Sequence, residues 1–134
     1  MSWTPIDPLL AQAVVNNLVT LMHLKGAVFA LRDGRGFLPL AMNSLHIDAG
    51  LMEFDNDTLK SFDTLFARAH SQPLDSLPLK DRFAESGVEF ITAVFANSHV
   101  DVLILLGEKQ AETNFSREDV GLLDNLAINV GDAL

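Results

Sequence analysis

Leu106-Gly107-Glu108-Lys109 closes an apolar run, and Asn114-Phe115-Ser116-Arg117-Glu118-Asp119 opens a helix that continues through Leu122-Leu123 and Leu126-Ala127. Ser116 and Asp119 have the Ser-x-x-acid spacing of a capping box, in which each residue satisfies a backbone N–H left unpaired by the first turn. Glu118 and Asp119 also place negative charge at the positive helix end. Val120, Leu122, Leu123, Leu126, Ala127, Val130, Ala133 and Leu134 fill one arc of this helix. Gly121, Asp124, Asn125, Asn129, Gly131 and Asp132 fill the rest, with Ile128 the one apolar residue among them. Val120, Leu123, Ala127, Val130 and Leu134 step by three, four, three and four, a heptad seam. Such a seam serves equally to pack on a sheet or on a second copy.

Working back along the chain, Val88 to Ala96 and Val100 to Leu106 are rich in β-branched and aromatic residues and flank the turn Asn97-Ser98-His99. They predict a β-hairpin whose two faces are both covered by protein, because polar positions are few. Residues 73–87 are irregular, with a short strand possible around Leu74 to Leu77 and a helical turn from Asp81 to Ser86. Leu59, Phe62, Leu65, Phe66 and Ala69 recur at helical spacing and predict a helix from about Thr58 to Ala69. Ser44 to Asn56 is acidic and reads as loop.

The N-terminal part supplies a helix and a hairpin. Asp7 can cap a helix with Pro8 in its first position, and the helix should end near Leu24 or Lys25. Leu10, Ala11, Val14, Val15, Leu18, Val19, Leu21 and Met22 share one half of its wheel. Ala27 to Leu31 and Phe37 to Asn43 are strands joined by Asp33-Gly34-Arg35-Gly36, whose glycines supply positive φ. Pro39 marks the second strand as an edge. The expected fold is α+β: a central antiparallel sheet, the N- and C-terminal helices on one face, and the middle helix with its loops on the other.

Composition bounds the function. The 134 residues suit a single domain, 1–134, with its core from about residue 8. No cysteine is present, which removes disulfides, thiolate metal sites and cysteine nucleophiles. Nine Lys and Arg stand against 18 Asp and Glu, a net charge of −9, so nucleic acid and anionic membrane surfaces are unexpected partners. The charge is +1 over residues 1–46 and −5 over each of 47–89 and 90–134. The longest apolar runs, such as Val102 to Leu106, are too short to span a bilayer. Residues 1–7 lack the pattern of a signal peptide, and a cytoplasmic location is expected. No nucleophile elbow, Walker loop, dinucleotide-binding glycine motif or zinc-protease motif occurs, so no enzymatic activity is expected.

Taken in order, the Leu106-Gly107 strand end, the Phe115-Ser116-Arg117-Glu118-Asp119 loop and the Leu122-Leu123, Leu126-Ala127 helix resemble the C-terminal end of a GAF domain. Ala67-Arg68-Ala69-His70-Ser71-Gln72-Pro73 resembles the end of that family's middle helix, and Gly87-Val88 through Phe95 its penultimate strand. The resemblance covers about residues 8–134; Phe95-Ala96 stands where the family often has Pro-Leu. It implies a GAF/PAS-like sheet and a sensory or regulatory module of bacterial signal transduction, as in two-component histidine kinases, cyclases, phosphodiesterases or transcription regulators. Such a module binds a small molecule, mediates dimerisation, or does both, and no effector domain is read in this chain. Without cysteine, the cysteine-attached bilins and cysteine-based methionine sulfoxide reductases of this fold are excluded. The family's cyclic-nucleotide signature is also unmet, because no Asn-Lys pair occurs and Val120 follows Asp119.

Two candidate sites follow. A pocket under the middle helix would draw on Phe66, Arg68, His70, Arg82, Phe90 and Thr92, with the arginines holding an anionic small molecule; alternatively the phenylalanines are core and the arginines solvated. A homodimer interface would use Val120, Leu123, Ala127, Val130 and Leu134. His23, His46, His70 and His99 have no ligand spacing, so no metal and no cofactor are expected, although a single histidine could take haem. The competing function is a non-sensing dimerisation module of roadblock-like topology. It predicts three consecutive strands after the middle helix and no Phe-Ser-x-Glu-Asp loop.

Overall fold

The structure, a computed structural model, describes residues 7–133, save the side chains of Ala49 and Ala133. Helix α1 (Pro8–Met22) starts where expected, with the Asp7 carboxylate accepting the Leu9 N–H at 2.8 Å. It ends two residues early. His23 adopts the left-handed conformation (φ 54°) and turns the chain towards the sheet. Strands β1 (Ala27–Asp33) and β2 (Gly36–Asn43) form the first hairpin. Only Gly34 supplies a positive φ (57°) in its turn. Gly36 is needed for space: a Cβ there would collide with the Met52 carbonyl oxygen.

The acidic stretch after β2 is ordered around a 3-10 turn, Ala49–Met52, and buries Ile47, Met52 and Phe54. Helix α2 (Asn56–Arg68) follows, capped by Asp55, which accepts the Thr58 N–H at 2.7 Å. Strand β3 is Ser71–Pro73, three residues upstream of the expected Leu74 to Leu77, which instead begins with a 3-10 turn, Leu74–Ser76. The Gln72 amide explains the shift. It donates to the Leu65 and Ala69 carbonyls at the end of α2 and fixes the chain against the sheet edge immediately after the helix. Strands β4 (Val88–Ala96) and β5 (His99–Gly107) form the expected long hairpin, and α3 (Arg117–Ala133) closes the fold.

All pairings are antiparallel, in the order β2-β1-β5-β4-β3. Pro39 lies on edge strand β2 beside a bulge, where its missing N–H costs no ladder bond. The central strands are buried on both faces, as their sparse polar positions required. One face carries α1 and α3, with Ala11, Val15, Leu18, Met22, Leu123 and Ala127 packed on Phe29, Val94, Val102 and Ile104. The other carries α2 and the loops, with Phe37, Phe54, Phe62, Phe66 and Phe83 over Val28, Ile91, Ala93 and Leu103.

Candidate functional site

The apolar arc of α1 is wider than the sheet it covers. Ala11, Val15, Leu18 and Met22 are buried, whereas Leu10 and Leu21 from the same arc are 50% and 67% exposed. On α3, Leu123 and Ala127 are buried on the sheet while Leu122 remains 43% exposed. Between the helices runs a groove of about 340 Å³ lined by Val14, Asn17, Leu18, Leu21, Leu122, Asn125, Leu126 and Asn129. None of these residues is charged, and α1 has no charged residue along its length.

This placement corrects the candidate interface. Leu123 and Ala127 are interior, and Val120 and Val130 pack against the same core, so the heptad seam serves the protein's own sheet. Leu134 lies outside the described residues. Heptad spacing missed the outward residues Leu21 and Leu122; the signal available was the absence of charge on α1 in a strongly acidic chain.

The candidate pocket is not assembled. Phe66 and Arg82 lie on the α2 side, where Phe66 is core and Arg68 is exposed. Phe90 faces the other side of the sheet, stacked on Phe115 with ring centroids 4.6 Å apart. Thr92 is buried and meets Ser71, which in turn bonds to Asp124 of α3. His70 packs on Phe95 at 5.2 Å between ring centroids, its Nδ1 buried without a hydrogen-bond partner. The Arg82 guanidinium donates to the Leu51 and Glu53 carbonyls and lies over the Phe54 ring at 4.6 Å from the centroid. It fastens the 3-10 turn to the segment that follows β3. Phe37, Phe54, Phe62 and Phe66 on that face pack edge-on and tilted, with the Phe54–Phe62 ring centroids 5.1 Å apart, and Phe83 lies in the same core.

The remaining polar groups tie elements together. His99 and the Val100 N–H both meet the Asp63 carboxylate, at 3.0 and 2.8 Å, which joins α2 to the β4–β5 turn. Asp101 is raised above the ordinary aspartate range by burial, which outweighs the attraction of Arg32 and His99. Ser116 and Asp119 form the capping box: Asp119 accepts the Ser116 N–H at 2.8 Å, and the Ser116 hydroxyl accepts the Asp119 N–H at 3.1 Å. Burial works to raise Asp119, but Lys109 and Ser116 outweigh it and hold the carboxyl below its ordinary value. Among the described residues, no group of three or more His, Asp or Glu side chains is placed to hold a metal ion. No helix among them is long and apolar enough to cross a membrane.

No protein-family model matches the chain, and no curated protein does. Solved structures match it closely in shape. A GAF domain/HD domain protein from Geobacter sulfurreducens superposes with a TM-score of 0.68 at 12% identity, over 94% of this chain and 90% of that one. The GAF domain of a phosphoenolpyruvate-protein phosphotransferase from Acinetobacter gives 0.67 at 18% identity, over 98% and 82%. A type II free methionine-R-sulfoxide reductase from Thermoplasma acidophilum gives 0.65 at 18% identity, over 94% and 89%. Three strands follow α2, as the roadblock-like alternative requires, but β3 has only three residues and the Phe115-Ser116-Arg117-Glu118-Asp119 loop that it lacks is present. Element order, sheet order, the capping-box loop and these superpositions agree: the chain has the GAF-domain fold.

Proposed function

We propose that the chain is a regulatory GAF-type module of a signal-transduction protein that works as a homodimer, associating through the outer faces of α1 and α3. One observation carries this reading: an apolar groove between the terminal helices, lined by exposed Leu21 and Leu122 and free of charge. Two copies of a chain with net charge −9 repel each other, and contact through an uncharged surface keeps that repulsion least. α1 offers such a surface. A second copy would cover Leu21 and Leu122 without burying an unpaired charge. The GAF domains of similar structure belong to an HD-domain protein and a phosphotransferase, which supports a regulatory setting.

The small-molecule role has less support, because aromatic side chains fill the space between α2 and the sheet. A non-catalytic role fits the absence of cysteine from a chain whose fold also serves a reductase. Sedimentation velocity at micromolar concentration tests the proposal. The expected result is a dimer that Leu21→Glu and Leu122→Glu each convert to a folded monomer, with the circular-dichroism spectrum unchanged and a melting curve that no longer depends on concentration. A wild-type chain that stays monomeric overturns it.

A further inference from the structure

We propose that the segment from Glu108 to Glu112 is a bracket that makes α1 and α3 shift together, with Lys109 as the residue that joins them. The proposal rests on the reading of the α1/α3 face as functional and concerns its regulation.

The bracket holds the end of α1 through the backbone. Lys25 N–H donates to the Glu108 carbonyl and Gln110 N–H to the His23 carbonyl, both at 2.7 Å. The Gln110 side-chain amide donates to the Leu24 carbonyl at 3.2 Å. Leu24 and Lys109 thereby form an antiparallel bridge, which carries the β1–β5 pairing beyond the start of β1 and the end of β5, into the link that follows α1. Leu24 is itself fully buried, so this junction cannot shift without disturbing the core.

The same segment holds the start of α3 through a side chain. Lys109 Nζ meets Asp119 Oδ2 at 2.7 Å, with the two side chains 20% and 16% exposed. Asp119 is also the acidic member of the α3 capping box. Lys109 therefore sits between the two backbone anchors, Glu108 and Gln110, that hold the end of α1, and reaches α3 with its ammonium. Lys25 adds pairs to Glu108 and Glu112 at 3.1 and 3.4 Å, but these are exposed and should contribute little. Displacement of one helix is passed to the other because both are fixed to one short, doubly anchored segment. Coupling of this kind is reciprocal, so a loosened α3 anchor must be felt at α1 and the reverse.

Hydrogen exchange on the intact chain tests this. Lys109→Met leaves the Ser116–Asp119 cap in place. It should speed exchange about tenfold at the first bonded amides of α3 and also at Lys25 and Gln110. Lys109→Arg should restore wild-type protection at both places. Gln110→Ala, made at the other anchor, should loosen the start of α3. Changes confined to the mutated anchor in both variants overturn the bracket, as does no change in either. If the wild-type chain is monomeric yet both variants show the paired loss, the bracket stands and the dimer reading alone fails.

Discussion

The Ser71 hydroxyl donates to Asp124 Oδ1 at 2.8 Å and stands 2.9 Å from the Thr92 hydroxyl. A serine has one proton to give. With Ser71 donating to the carboxylate, Thr92 must donate to Ser71, so the three form a directed chain from β4 through β3 to α3. It is the polar link between the short edge strand and the closing helix.

Ser71→Ala should therefore cost about 1–3 kcal/mol, because it strands a buried Thr92 hydroxyl and removes the donor to Asp124. Thr92→Val should cost less, since Ser71 can still donate to Asp124. Urea denaturation of both variants checks the order. Equal losses would mean that the chain is not directed as drawn.

How much of this was legible beforehand follows from the residues concerned. Capping at Asp7 and Ser116 uses local hydrogen bonds, and Pro39 on an edge is a local rule, so the sequence carries both without tertiary knowledge. The pocket was not legible because β4 is apolar on both faces. Ile91 and Ala93 go to α2 while Phe90 and Val94 go to α3, and only the fold assigns the parity. The heptad seam on α3 misled for a related reason: spacing of three and four describes a buried stripe and says nothing about what buries it.

Asp119 and Asp101 should give opposite pH dependences. Asp119 is held below its ordinary pKa of 3.8 in the fold, so its stabilisation is fully present above that value and is lost as pH falls through the depressed folded value. Asp101 is raised above 3.8, so the fold binds its proton more tightly than the unfolded chain does, and its effect lowers stability as pH rises through the raised value. Asp119→Asn should destabilise at pH 7 and become neutral in strong acid. Asp101→Asn should be neutral or stabilising at pH 7. Melting curves of the two variants from pH 3 to 7 decide it, and slopes of the same sign would contradict the assignment.

The α3 cap can be weighed separately. Ser116→Ala removes the acceptor for the Asp119 N–H and should cost about 1 kcal/mol. Because Asp119 keeps its bond to Lys109, the loss should not shrink with salt as an ion pair's would. Chemical denaturation at low and high ionic strength measures both statements.

The two glycines of the first hairpin separate conformation from space. Gly34 has φ 57°, and a Cβ added there would meet nothing within 4 Å, so Gly34→Ala carries only the left-handed backbone cost, roughly 1–2 kcal/mol. Gly36 needs no positive φ, but its Cβ would drive into the Met52 carbonyl, a backbone atom that cannot swing aside. The Gly36–Glu53 bridge and the Phe54 N–H bond to the Arg35 carbonyl at 2.9 Å hold that carbonyl in place. Relief would have to come from lifting the 3-10 turn away from β2, which unseats Met52 and Phe54 from the core and breaks the Arg82 contacts to Leu51 and Glu53. Gly36→Ala should therefore cost more than about 3 kcal/mol, and limited proteolysis of that variant should cut first between Asp48 and Asp55. A Gly36→Ala chain as stable as Gly34→Ala would mean that the turn yields freely and that Arg82 does not fasten it.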